Sequence, residues 1–340
     1  MDPRGPAPPP LATQTPLEEL ARRTGEPLPT LLAARERTAR RVAEAREALA
    51  GVALDPDVSV VLMGSWGRGE LTSGSDDDVL ILATGADRPP EAIRPAVGEL
   101  RAALRPPAGE QGIFNRAVSV ARLANIGLDA DDNANTTRRL LLLLESAPLL
   151  GAAAHRAGLA ALLDAYLTAD RKDRRPPRFL LNDVVRYWRT ICVDFEGKAR
   201  EGDERKWALR HAKLRTSRAM LFAGGLVPIL ECHHVVADAV PGLLLEQFSL
   251  PPTDRLAAAF LAYDAADAGA RTFGAYDRFL ALLDDPETRG ELERLTREDA
   301  VASPVFQTAR RLGREVQQGL LALLFEREPL RRLIRQYGVF

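Results

Sequence analysis

The stretch Gly64-Ser65-Trp66-Gly67-Arg68-Gly69-Glu70-Leu71-Thr72-Ser73-Gly74-Ser75-Asp76-Asp77-Asp78 gathers the residues best suited to chemistry. Asp76 and Asp78 are two apart, and in extended chain alternate side chains share a face. Two carboxylates on one face repel each other, and a divalent cation relieves that repulsion. Magnesium takes oxygen ligands and keeps positions open for phosphates. A metal held there would activate a hydroxyl nucleophile and neutralise a pyrophosphate leaving group. Gly64 lets a phosphate approach the backbone, and free N–H groups at a helix start, with the Ser65 hydroxyl, suit phosphate oxygens. Gly67 and Gly69 keep the loop permissive. Arg68 would hold a phosphate or fix the loop through an acidic partner.

The elements that must position these residues are readable on either side. Val58–Met63 is a β-branched apolar run ending at Gly64, and Asp78–Leu82 is a second such run closed by Thr84-Gly85; both predict buried strands. Phe114–Leu123 alternates and predicts a third. Helices are expected over Arg35–Leu49 and Pro90–Leu104. Beyond residue 133 strand signals vanish, and helical spacing runs through Asn135–Glu145, Phe179–Arg200, Lys206–Phe222, Thr253–Ala265, Pro286–Leu295 and Pro304–Phe325. The fold class is therefore α+β, a small mixed sheet followed by a helical bundle. Three parts are expected: a Pro-rich disordered tail over 1–24, an α+β unit over 25–150 and a helical domain over 151–340. Arg171–Arg178 reads as a charged connector.

A strand, then G-S, G-R-G-E-L and S-D-x-D-x-L-I-L, resembles the signature of polymerase-β-type nucleotidyltransferases. The longer form is similar to the nucleotidyltransferase domain of PII-protein uridylyltransferases and related bacterial domains. The likeness covers residues 58–82. It implies that Gly64 and Ser65 hold the NTP, that Asp76 and Asp78 bind Mg2+, and that an NMP passes to a hydroxyl acceptor. Between a protein and a tRNA acceptor it favours the protein; a small molecule is the third option. The chain is too short for the extra domains of the PII-modifying enzymes. In the broad superfamily a Lys and a Ser one turn apart contact the β- and γ-phosphates, and Lys213 and Ser217 match that spacing.

Two departures stand out. Asp77 occupies a position usually apolar, and should point to the opposite face at an exposed strand entrance. The family's third carboxylate lies on the next strand, yet Phe114–Leu123 holds no Asp or Glu. Glu110 precedes it, and Asp129, Asp131 and Asp132 follow, where helix capping competes with metal ligation. The general base is thus unassigned, which opens an alternative: an inactive nucleotide-binding or interaction module.

Elsewhere the plainer readings prevail. Asp183, Tyr187, Thr190, Asp194 and Lys198, flanked by Arg186 and Arg189, and Lys206 with Arg210 read as solvated charged faces. His233-His234 lacks a second cluster to complete a metal set. Trp188 and Trp207 read as core. A net charge of -1 announces no global nucleic-acid field. Two cysteines imply no disulfide framework. The longest apolar run is too short for a bilayer, and prolines replace a signal peptide's apolar core. The cytoplasm is the expected location; the oligomeric state is left open.

Overall fold

A computed structural model describes residues 14–85, 117–127, 132–169, 176–200 and 206–338. It is an α+β structure with a small four-stranded mixed sheet in the N-terminal half and a mostly helical C-terminal region. The strands are β1 (Val58–Leu62), β2 (Val79–Ala83), β3 (Ala117–Ser119) and β4 (Ala147–Leu150), in the order β3-β2-β1-β4. β1 runs antiparallel to β2 and β4, and β2 runs parallel to β3. The helices used below are α1 (Pro16–Thr24), α2 (Pro29–Ala48), α3 (Gly64–Gly67), α4 (Val120–Ala124), α5 (Asp132–Glu145), α6 (Ala152–Ala169), α7 (Arg178–Arg200), α8 (Trp207–Arg215), α9 (Ser217–Glu231), α10 (Val240–Phe248), α11 (Pro252–Ala262), α12 (Ala266–Asp284), α13 (Pro286–Arg294) and α14 (Pro304–Glu326).

The two-residue period of β1 and β2 divides the core. Val58, Val60, Leu62, Val79 and Ile81 face one way and pack with Ala45 and Leu49 of α2 and with Trp66. Val61, Met63, Leu80 and Leu82 face the other way and join the large core of the helical region, including Leu159, Leu221 and Leu280. The sheet and the helices therefore share one hydrophobic interior, and the strand mouth carrying Asp76 and Asp78 opens onto helices.

Several expectations are corrected. The third strand is only Ala117–Ser119, after which the chain turns into α4. Strand signals do not end at residue 133, since Ala147–Leu150 forms an edge strand on β1. The helix expected over Lys206–Phe222 is two helices, broken at Thr216 (φ −124°, ψ −94°). α12 was not read from the sequence at all. The expected tail ends early: Thr15 and Glu18 form a capping box, and Leu17 and Leu20 of α1 are buried against α11 and α12. The first thirteen residues, the helix expected over 90–104 and most of the 171–178 connector lie outside the described residues.

Among the described residues no helix is long and apolar enough to cross a membrane. Cys192 and Cys232 are both free thiols. Trp188 stacks on Phe222, and Trp207 packs with His211 and Phe306, as core residues do.

Candidate active site

The sheet edge meets the helices at a cleft of about 340 Å³, lined by Gly64, Ser65, Arg68, Asp76, Asp78, Lys213 and Ser217. The residues expected from the sequence to bind phosphate and metal thus line one cleft. Glu145, Tyr187, Arg218 and Arg289 line it too, and the sequence did not single them out for this site; Tyr187 alone was noted, as part of a solvated face.

Met63 follows the end of β1, and its N–H donates to Asp78 O at 2.9 Å, so the glycine turn and the strand mouth are stapled together. Gly64 has φ +59°, and a Cβ there would lie 2.7 Å from Asp78 Oδ2. Only glycine accommodates both the left-handed backbone and the carboxylate. Gly67 closes the single turn of α3 against the end of α5; a Cβ on it would lie 2.0 Å from Glu145 O.

Strand parity separates the three aspartates. Asp76 and Asp78 line the cleft. Asp77 points to the opposite face, as expected, but not into solvent: it is 3% exposed and pairs with Arg41 of α2 at 3.2 Å. Burial, then the Glu145 and Asp76 carboxylates, push the Asp78 carboxyl up to about 7. Arg68 and Lys213 pull in the other direction without cancelling that rise.

Among the described residues, the further carboxylate that acts most on Asp78 comes from a helix end rather than from β3. Glu145, last residue of α5, accepts Gly64 N–H at 3.2 Å and an Arg68 guanidinium N–H. Arg68 Nε also donates to Glu70 at 2.8 Å. Burial alone would lower the Arg68 guanidinium, but Glu70 and Glu145 hold it well above its ordinary value. Of the two roles open to Arg68, fixing the loop is the one these bonds serve. Glu110, Asp129 and Asp131 lie outside the described residues, as does the Asp132 side chain.

The opposite wall is cationic. Lys213 lies in the last turn of α8, Arg218 in the first turn of α9, and Arg289 of α13 lies against Gly74, whose Cβ would sit 2.7 Å from Arg289 Nε. Burial, then Arg289, Arg218 and Arg68, lower the Lys213 ammonium to about 8. Arg289 pairs with Glu293 at 3.1 Å; among the described residues Lys213 and Arg218 have no acidic partner within ion-pair distance. The break at Thr216 means that Lys213 and Ser217 reach the cleft from two helices rather than one face. Asp183 is not on a solvated face: it is buried and accepts the Tyr166 hydroxyl at 2.7 Å. Asp194 and Lys198 line the outer cleft as an ion pair at 2.9 Å.

Among the described residues no three His, Cys, Asp or Glu side chains converge as a metal-binding group. Asp76 and Asp78 are a pair of hard oxygen donors, with Asp78 carrying uncompensated repulsion. Such a set fits magnesium, whose remaining positions go to water and phosphate.

No protein-family model and no curated protein sequence matches the chain.

Proposed function

We propose that this protein is a magnesium-dependent nucleotidyltransferase of the polymerase-β type, moving an NMP from an NTP to a hydroxyl acceptor with release of pyrophosphate. One observation supports the reading above the rest: the carboxylates Asp76 and Asp78 line a single cleft with Lys213 and Arg218, cations with no acidic ion-pair partner among the described residues. Like charges held together on both walls call for a ligand bearing both signs, and a metal–polyphosphate is such a ligand.

Asp76 and Asp78 would hold Mg2+, which when bound supplies charge neutralisation on the phosphates and a lowered pKa for the acceptor hydroxyl. Gly64 and Ser65 present the turn on which the triphosphate lies. Lys213, Arg218 and Arg289 take the β- and γ-phosphates and stabilise charge on the leaving pyrophosphate. Arg68 holds the turn rigid and adds to the positive field. The acceptor oxygen forms a bond to the α-phosphorus as the α–β phosphoanhydride breaks, pyrophosphate leaves and the hydroxyl proton passes to solvent water. Protein, tRNA and small-molecule acceptors remain open, the motif likeness leaning to protein.

One observation favours the alternative of an inactive nucleotide-binding module: Glu145, the third carboxylate acting on Asp78 among the described residues, is already engaged by Arg68 and Gly64. Incubation with each α-labelled NTP, magnesium and cell extract separates the two. The enzyme reading predicts label on an acceptor and pyrophosphate release, both lost in Asp76→Ala and Asp78→Ala. Tight NTP binding with no labelled product from any NTP supports the module.

A further inference from the structure

The loop that delivers Asp76 is tied to the helical region at Asp284, the last residue of α12, which does not line the cleft. Asp284 Oδ1 accepts the Ser73 N–H at 2.7 Å, and its carbonyl oxygen accepts the Ser73 hydroxyl at 2.5 Å. Arg37 of α2 donates to the same carboxylate from both terminal nitrogens, at 2.8 and 2.9 Å. Arg37 Nη1 also donates to Leu71 O at 2.8 Å, and the Leu71 N–H donates to the Thr38 hydroxyl at 3.1 Å. Between these anchors the loop closes on itself: the Thr72 N–H donates to Ser75 Oγ at 2.9 Å, and the Ser75 N–H to Thr72 O at 3.1 Å. Asp76 is the next residue. The same corner sets Arg289. Asp285 caps α13 by accepting the Thr288 N–H at 2.9 Å, and the Thr288 hydroxyl reaches back to Leu282 O at 2.7 Å. Arg289 follows Thr288, and its side chain lies against Gly74 of the loop. The α12–α13 corner thus holds a group on each wall of the cleft, Asp76 by way of Ser73 and Arg289 by way of α13.

We propose that Asp284 is a positioning residue that couples the metal carboxylates to the phosphate wall, fixing the loop of Asp76 against the helix of Arg289. The inference rests on the nucleotidyltransferase reading and adds a residue that touches neither metal nor nucleotide. On that reading a magnesium polyphosphate bridges Asp76 and Arg289, so its affinity depends on how firmly their separation is held. A bidentate Arg–carboxylate pair fixes geometry as well as charge. Asp284 adds a backbone N–H of the loop as a third donor to the same carboxylate, so the pair and the loop move together or not at all.

The test is titration calorimetry of inorganic triphosphate, and of ATP, GTP, CTP and UTP, over a range of magnesium concentrations, against wild type, Asp284→Ala, Arg37→Gln and the double variant. Glu315→Gln is the matched control: Glu315 of α14 pairs with Arg278 of α12 at 3.1 Å, is about as exposed as Asp284 and lies outside the cleft. The expected result is a roughly tenfold weaker Kd in Asp284→Ala, a similar loss in Arg37→Gln and little further loss in the double variant, since both open one tie. The magnesium concentration for half-maximal binding should rise severalfold in the same variants, a readout that lost stability alone would leave in place. Glu315→Gln should match wild type in both. Should Asp284→Ala fail to fold, Asp284→Asn and Arg37→Gln decide. The proposal is overturned if wild type binds while the Asp284 and Arg37 variants match it in Kd or in magnesium requirement, or if Glu315→Gln weakens binding equally. A wild type that binds neither triphosphate nor any NTP at any magnesium concentration overturns the nucleotidyltransferase reading and the role of Asp284 with it.

Discussion

Asp77 and Asp78 are chain neighbours on opposite faces of one strand mouth. On the α2 face, Arg41 meets Asp77 at 3.2 Å and the buried charge is settled inside the fold. On the cleft face, Asp78 has Glu145 and Asp76 beside it and is held up to about 7. Asp77 is buried and Asp78 half-buried, yet only Asp77 has an ion-pair partner close at hand; Arg68 and Lys213 act on Asp78 without cancelling its rise. A buried ion is costly unless paired, and on the proposed reading a bound magnesium would supply the charge that Asp78 lacks. The cations on the far wall repeat the lesson, because Lys213 is lowered to about 8 by burial and by Arg289, Arg218 and Arg68.

The contrast is sharpened most by exchanging the two acids for amides. Asp78→Asn should lower NMP transfer by about 10³-fold or more, since the charge stabilisation a metal supplies is worth several kcal/mol and each 1.36 kcal/mol is tenfold. Asp77→Asn should leave transfer near wild type and cost about 1–3 kcal/mol of stability, as it removes the buried charge that faces Arg41. Steady-state kinetics beside urea unfolding reads both; equal losses of transfer would break the comparison.

On the cation wall, Arg218→Gln should weaken magnesium triphosphate binding by about 10–100-fold, in line with about 1.5–3 kcal/mol for a hydrogen bond to a charged group. Wild-type affinity in that variant would place the polyphosphate elsewhere. Gly64→Ala should destabilise by about 1–2 kcal/mol from the left-handed backbone alone, with a further cost from the clash with Asp78, seen as a lowered Tm.

The smallest effect is on pH dependence. The folded pKa of Asp78 lies above its unfolded value, so the folded state binds its proton more readily. Its destabilisation is therefore complete above about pH 7 and is relieved as pH falls toward the unfolded value. Without magnesium, the stability gained by Asp78→Asn over wild type should grow between about pH 4 and 7 and level off above. His155 gives the opposite slope. Burial lowers it to about 4, so stability falls as pH drops from 6.5 toward 4, and His155→Gln should flatten that limb. Denaturant melts across the range distinguish the two.

How much of this was legible in the sequence follows from how local each signal is. The β-branched runs around Gly64 and the Asp76–Asp78 spacing are local, and the structure has strands and cleft there. β4 is four residues containing a proline, Ala-Pro-Leu-Leu, too short to carry a period. α12 buries Phe273, Tyr276, Phe279 and Leu280 and exposes Asp267, Arg271 and Arg278 at helical spacing, but Gly269 and Gly274, poor helix formers, obscure that pattern in the sequence. α1 did leave a trace, the Thr15–Glu18 capping pair, masked by the prolines upstream. Glu145 reads only as the polar end of a leucine-rich helix. Its role comes from the fold bringing that end to Gly64, 81 residues earlier in the chain. Arg218 and Arg289 are long-range in the same sense.

The most direct measurement is calorimetric binding of a non-hydrolysable NTP with an α,β-methylene bridge, with and without magnesium, to wild type and Asp78→Asn. The account predicts binding to wild type that requires magnesium and is lost in the variant. No binding to wild type under any condition, or binding indifferent to both magnesium and Asp78, would contradict it.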